Sequence, residues 1–351
     1  MRKAWESFIG SDQWYEWGDG RAIKRAVLLL PGKNLCDWYL RTGKGCLMCG
    51  YNAPGASKRS WTWVPKFLFP TFLNTLYRVG MRAIRNERPE TLVVYNGGSF
   101  LNGGDCSSLI GTKVEIPWRT QEFICRQVAK HPSLQRLFVE SLPQFIHDDN
   151  ISRLKELLGG KDLLVGIGLE SANDHIRNRV IRKGFSRLKF ERAVAVLHRH
   201  GARVLAYVFF KPQTLSEQEA IDDTIATIRY CADLGVDEVS ISCAFVHGCN
   251  EMRKMWQRGE YRPPWLWSII KILRETTGLP VHVRCGTFQD DPPPVDVPRN
   301  CSQCTDRITA VIEEYRRTYD LSLFDGLACE CQQEWERELE KPPLASLPIL
   351  P

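Results

Sequence analysis

No apolar run in this sequence approaches the roughly 20 residues needed to span a bilayer. The opening Met1-Arg2-Lys3-Ala4-Trp5-Glu6 also lacks the apolar core of a secretory signal, and Ala26–Leu30 is too short to supply one. Both absences point to a cytoplasmic protein with no membrane partner. There is little excess charge: +6 over 351 residues describes a solvated surface and is only weak support for an anionic partner. There is no internal repeat, which sets solenoid architectures aside. What remains, 43% hydrophobic and 25% charged residues, is the composition of an ordinary globular chain. Its length suits one large α/β barrel with a small appendage, or two domains.

Cysteine, by contrast, is plentiful. In a reducing compartment thirteen cysteines, an odd number, read as metal ligands rather than as a disulfide framework.

Short β-branched runs recur at Ala26–Leu30, Thr91–Tyr95, Arg136–Val139, Leu163–Ile167, Arg203–Phe209 and Glu238–Ser242. Helical stretches alternate with them, near residues 66–86, 119–130, 150–158, 188–200, 217–234 and 265–275, which argues for a parallel sheet. The fold class is therefore α/β, with six such units suited to an open or partial barrel. The expected organisation is an N-terminal extension over 1–23 and a barrel over 24–284. A cysteine-rich extension over 285–340 follows the proline-rich Asp290-Asp291-Pro292-Pro293-Pro294, and 341–351 form a tail.

Directly after the first of these strands, Cys36, Cys46 and Cys49 give C-x9-C-x2-C on a glycine-bearing loop. Three thiolates can hold three irons of a [4Fe–4S] cluster and leave the fourth open to chelate S-adenosylmethionine (SAM). One electron then splits the sulfonium bond, and the 5′-deoxyadenosyl radical removes a hydrogen from the substrate. Zinc or buried thiols are the alternative, but a closed zinc site wants four ligands and this loop offers no nearby histidine or fourth cysteine.

In parallel-sheet folds functional residues gather at the carboxyl ends of strands, and several candidates sit there. Asn96-Gly97-Gly98-Ser99-Phe100 follows the second strand, where glycines let backbone approach a ligand closely. Glu140 ends the third strand and Glu170 the fourth, and either carboxylate can accept ribose hydroxyls. Gly166-Ile167-Gly168-Leu169-Glu170-Ser171 lacks the third glycine of a dinucleotide fingerprint. Lys211-Pro212 ends the fifth strand, placing an ammonium over the barrel mouth as the candidate catalytic cation. Each of these charges can equally belong to a structural ion pair.

Gly45-Cys46-Leu47-Met48-Cys49-Gly50-Tyr51, Gly98-Ser99-Phe100-Leu101, Glu140-Ser141-Leu142-Pro143 and the run 166–184 resemble the radical SAM group that includes the elongator catalytic subunit. Within it, the segment Gly259-Glu260-Tyr261-Arg262-Pro263-Pro264-Trp265-Leu266-Trp267 and the terminal cysteines resemble the archaeosine-synthase radical SAM subunits, over roughly residues 24–340. The resemblance implies a partial (β/α)6 barrel and a cluster on Cys36, Cys46 and Cys49. It places Met48 on the adenine, Gly97, Gly98 and Ser99 at the methionyl end of SAM, Glu140 and Glu170 on the ribose, and Lys183 on the carboxylate. It implies cleavage of a carbon–nitrogen bond of a lysine-modified 7-deazaguanine in tRNA, giving archaeosine. The implied partners are tRNA, the lysine-transferring archaeosine synthase subunit and an electron donor. Two departures lie near the expected barrel mouth. Leu142 and Gln144 stand where such relatives usually carry Arg and Glu, and the stretch from Asn102 to Lys113 is longer than expected. Modified DNA, a free deazapurine, or a non-catalytic RNA-binding role with a structural cluster stay open as alternatives.

Cys301-x2-Cys304 and Cys329-x-Cys331 give two close thiol pairs joined by a helix-length segment, the pattern of a structural zinc site. An auxiliary iron–sulfur cluster or buried thiols are the other readings, with Cys285 a further candidate ligand. Cys106, Cys125, Cys231, Cys243 and Cys249 read as core or incidental thiols. Arg78, Arg82, Arg85 and Arg88 share a helix face if the helix runs that far. Arg177, Arg179, Arg182, Lys183, Arg187, Lys189 and Arg192 form a second basic group, and Trp61, Trp63, Trp265 and Trp267 are candidates for base stacking.

Overall fold

The computed structural model describes residues 9–15, 22–30, 36–49, 64–104, 114–247, 251–288 and 293–341. In chain order the strands and helices are β1 (Ile9–Tyr15), β2 (Ala22–Leu29), α1 (Asp37–Thr42), α2 (Phe69–Ala83), β3 (Thr91–Tyr95), α3 (Trp118–Lys130), β4 (Arg136–Glu140), α4 (Asp148–Leu157) and β5 (Asp162–Glu170). There follow α5 (Arg187–Arg199), β6 (Arg203–Phe210), α6 (Glu217–Asp233), β7 (Glu238–Cys243), α7 (Glu251–Gln257), α8 (Leu266–Glu275), β8 (His282–Cys285), α9 (Thr305–Thr318) and α10 (Cys331–Leu339). The strands lie in one sheet in sequence order, with β2–β7 supplying the six βα units of a partial (β/α)6 barrel. A small cysteine-rich C-terminal extension follows them. The six expected strands are present; β1 and β8 are additional.

Two compact units divide the chain: Met1–Gly45, Pro54–Gly168 and Leu188–Leu205 in the first, Cys46–Ala53, Leu169–Arg187 and Ala206–Pro351 in the second. In the first, β1 runs antiparallel to β2, while β2, β3, β4 and β5 pair in parallel. Leu92, Val93 and Val94 of β3 are fully buried, as are Leu137 and Val139 of β4. Burial on both faces is why these strands read as continuous apolar runs rather than alternating ones. Pro70 lies in the first turn of α2, where its fixed φ suits a helix start. Gly80 of α2 gives the helix its close approach to β2: a Cβ there would meet Leu28 Cδ2 at 2.8 Å.

In the second unit β7 pairs in parallel with β8. Ser216 caps α6 by accepting from Glu219 N, and the Glu219 carboxylate accepts from Ser216 N, a reciprocal capping box. Helix α8 buries Leu266, Trp267, Ser268, Ile269, Ile270, Ile272 and Leu273, so it is enclosed on nearly all sides. No helix among the described residues is long and apolar enough to cross a membrane.

Candidate functional site

In the first unit, Cys36 stands at the N-cap of α1 and makes no side-chain cap bond to it. The helix is one short turn and a half. Gly43 ends it at φ 71°, a left-handed conformation that a side chain would strain, and its N–H donates to Tyr39 O at 2.8 Å. Thr42 Oγ1 then accepts from Gly45 N at 3.0 Å, turning the chain toward Cys46. After β3, Gly97 adopts φ 71° and a Cβ on it would meet nothing within 4 Å, so its backbone faces open space. Ser99 is fully buried, and its hydroxyl accepts from Leu142 N at 3.1 Å. Phe100 N donates to Glu140 O at 2.8 Å, tying this loop to the carboxyl end of β4.

One residue here had no signal in the sequence. Glu115 is 1% exposed, and its carboxylate accepts from Asp37 N, Asn102 Nδ2, Asn96 Nδ2 and Ser99 N. Burial pushes its pKa up to about 7, against the lowering effect of the hydrogen bonds from Ser99, Asn102 and Asp37. A lone Glu before Ile116-Pro117 matches no motif, and only burial reveals it.

In the second unit, Cys49 N donates to Cys46 O at 3.2 Å, and Leu47 N donates to Ile181 O at 3.0 Å. Met48 packs against the buried cluster of Ile176, Ile181, Phe209, Val246, Met252 and Tyr261. Cys36, Cys46 and Cys49 are half-buried thiols, none in a disulfide. Buried Glu170 and half-buried Lys183 form an ion pair with Oε1 and Nζ 2.6 Å apart. Lys211 is likewise engaged: its Nζ lies 2.5 Å from Glu217 Oε2, and its carbonyl accepts from Tyr261 Oη at 2.9 Å. Glu217 Oε1 in turn accepts from Trp265 N and from Ser268 Oγ, at 2.9 and 2.6 Å. Glu170, Arg182 and Lys211 all adopt positive φ (67°, 61° and 68°), an uncommon conformation for residues with side chains. Such strain collects where surrounding structure over-determines the backbone, often at functional sites.

The four terminal cysteines form a compact set. Cys301 Sγ lies 3.7 Å from Cys304 Sγ and 3.5 Å from Cys329 Sγ, Cys304 Sγ lies 3.6 Å from Cys331 Sγ, and all four lie within 4.8 Å of one another. Tetrahedral zinc with bonds of about 2.3 Å separates its sulfurs by about 3.8 Å. A four-iron cluster spreads its thiolates over four different irons, and so holds them farther apart. The spacing thus accommodates one tetrahedral ion. Trp267 Nε1 donates to Cys331 Sγ at 3.3 Å, the kind of outer contact that orients a ligand. Cys285 lies outside this set, buried at the end of β8.

Several residues read from sequence as nucleic-acid contacts sit elsewhere. Helix α2 ends at Ala83, so Arg78 and Arg82 share its face while Arg85 lies in a 3₁₀ turn and Arg88 follows it. Arg177 is fully buried and donates to Phe185 O, Ser171 O and Asp174, a structural clamp around a π turn. Trp265 and Trp267 are 3% and 4% exposed and therefore core residues rather than stacking platforms. Arg179, Arg187, Lys189 and Arg192 are exposed, and Arg182 is half-buried. Trp61, Trp63, Gly50, Tyr51, Cys106 and Cys249 lie outside the described residues, as do 289–292 of the proline-rich stretch and the tail from 342.

A three-cysteine loop after the first parallel strand, with glycines and carboxylates at successive strand ends, makes this a partial-barrel protein similar to the radical SAM class. More narrowly, the chain resembles archaeosine synthase subunit beta. It is 29% identical to that protein from Methanosarcina acetivorans over 315 residues, which cover 87% of this chain and 82% of the relative. It is 28% identical to the one from Thermococcus kodakarensis over 322 residues, covering 92% and 93%. Among solved structures, an archaeal Elp3 from Methanocaldococcus infernus matches with a TM-score of 0.49 at 18% identity, covering 79% of this chain and 62% of that one. No family model matches.

Proposed function

We propose that this protein is a radical SAM enzyme that cleaves a carbon–nitrogen bond of a lysine-modified 7-deazaguanine in tRNA, acting with a lysine-transferring synthase subunit and an electron donor. The observation that carries the reading is the extended similarity to archaeosine synthase β subunits, over a chain that keeps the three-cysteine loop and strand-end carboxylates. The donor set fits a cluster with one open iron: three thiols without disulfides, and the bare backbone of Gly97 as a cradle for a ligand. Cys36, Cys46 and Cys49 hold the [4Fe–4S] cluster, which when bound supplies the electron that breaks the sulfonium bond of SAM.

The remaining assignments concern what this chain's side chains do. Gly97, Gly98 and Ser99 receive the methionyl end. Glu140 and Glu170 face the ribose, Lys183 the carboxylate, and Met48 the adenine. The Glu170–Lys183 pair keeps each charge compensated before a ligand arrives, which offsets the cost of burying either alone. Lys211 serves as the catalytic cation, its ammonium oriented by Glu217. Zinc occupies the terminal cysteine set, as its sulfur spacing supports.

The test is nucleoside mass spectrometry after offering lysine-modified tRNA, matched modified DNA and the free nucleoside to reduced enzyme with SAM. Turnover of the tRNA alone is expected. Turnover of DNA or nucleoside with tRNA inert would retain the radical chemistry and eliminate the tRNA assignment, an outcome to which Leu142 and Gln144 are relevant.

A further inference from the structure

We propose that Glu115 is a positioning residue, a single carboxylate that locks the first turn of α1 behind Cys36 and the Gly97–Ser99 loop into one arrangement. The inference rests on the radical SAM reading only for what that arrangement serves. The lock itself stands on geometry. Glu115 Oε1 accepts from Asp37 N at 3.1 Å and from Asn102 Nδ2 at 3.2 Å, while Oε2 accepts from Asn96 Nδ2 at 3.1 Å and from Ser99 N. These four donors fill the acceptor capacity of an ionised carboxylate. All are neutral, and they come from segments as far as 78 residues away in sequence. Glu115 N also donates to Asn102 O at 3.0 Å, so its own backbone is anchored to the same segment.

The two glycines of the loop divide the work. Gly97 is needed for its left-handed φ, whereas Gly98 is needed for space, because a Cβ there would collide with Glu115 Oε2. Through Ser99 Oγ to Leu142 N and Phe100 N to Glu140 O, the arrangement reaches the end of β4. A carboxylate this buried is tolerable only because every lone pair is met. A glutamine has the same size but turns an amide NH₂ toward one pair of donors, leaving two buried donors without an acceptor.

The experiment compares wild type, Glu115→Gln and Asn102→Ala, the last removing one donor while sparing the carboxylate and both amide bonds. In apoprotein, hydrogen exchange at the Asp37 and Ser99 amides should accelerate about tenfold in Glu115→Gln and less in Asn102→Ala, in line with the loss of buried hydrogen bonds. Unchanged exchange overturns the lock. In protein reconstituted with iron and sulfide, SAM binding should weaken about tenfold in Glu115→Gln, and the electron paramagnetic resonance change on adding SAM should be altered, with iron content preserved. Wild-type SAM affinity and spectrum in a variant whose amides exchange faster would mean that the carboxylate is merely structural, and would overturn the positioning role. If wild type binds neither cluster nor SAM, the radical SAM reading fails and the positioning role with it, while the apoprotein arm still decides the lock. Should Glu115→Gln fail to fold, Gly98→Ala carries both arms, because its Cβ displaces the Glu115 carboxylate: unchanged exchange or unchanged SAM affinity there overturns the same claims.

Discussion

The two cysteine sets of this chain are built on opposite principles. Cys36, Cys46 and Cys49 are three half-buried thiols on one stretch of chain, and the backbone beside Cys36 is set by groups that are not ligands: Gly43, Thr42 and Glu115. Cys301, Cys304, Cys329 and Cys331 supply four donors already at tetrahedral spacing, two of them buried at helix starts and one bonded by a tryptophan. A closed four-thiolate set suits an ion that stays put, whereas a three-thiolate loop leaves a coordination position for chemistry. Sequence spacing alone says how many ligands there are; whether the site is closed depends on what surrounds them.

The largest effect expected from this contrast is loss of reductive SAM cleavage when Cys36, Cys46 and Cys49 are all replaced by Ala. Persistent 5′-deoxyadenosine formation in that variant would remove the reason for treating the loop as a catalytic centre. Metal analysis of the same protein sharpens the other half: about one zinc and no iron per chain is expected, following the four-thiolate preference. Iron there would assign an auxiliary cluster instead. Replacing Cys304 or Cys331 should cost several kcal/mol of stability, since binding at such sites is coupled to folding, and is read as a lower Tm in the metal-loaded protein.

The ion pair in the second unit gives a finer test. Lys183→Met leaves Glu170 buried and uncompensated, which should cost about 3–5 kcal/mol. The double variant Lys183→Met/Glu170→Leu should recover most of that in thermal unfolding. If the pair also meets SAM, neither variant regains SAM affinity; recovered affinity in the double variant would mark the pair as purely structural.

Charge reversal at Arg82 and Arg85, both exposed, should weaken tRNA binding by about tenfold and flatten its salt slope by about two. SAM cleavage without substrate should be unaffected. An unchanged salt slope would move the RNA surface away from the end of α2.

The smallest expected effect concerns Asp223, whose carboxyl is pushed up to about 6 by burial, against the lowering effect of the Ser171 hydroxyl that donates to it at 2.8 Å. Because the folded value lies above the unfolded one, the folded state holds its proton more tightly. Its contribution is present below about pH 4 and is lost as pH rises toward 6. Asp223→Asn should therefore flatten that part of the stability curve and modestly stabilise the protein above pH 6. A variant with the wild-type slope would place the titration elsewhere.

Much of this was legible in the amino-acid order. The six buried parallel strands appear as short β-branched runs because both faces of a parallel sheet are covered, and the candidate ligands follow from residue type and spacing alone. The turn chemistry of Gly43 and Gly97 is local as well. What could not be read this way is whatever depends on partners distant in sequence. β1, with its Ser11, Asp12 and Gln13, has no alternation to announce it and becomes a strand by pairing with β2. Arg177, grouped in sequence with surface cations, is buried because three acceptors close around it, and Trp265 and Trp267 face inward because α8 is enclosed. Glu115 is the sharpest case. Composition and spacing treat it as one more surface carboxylate, and only the fold, by bringing four donors from separate segments to a buried site, makes its charge tolerable and gives it a task.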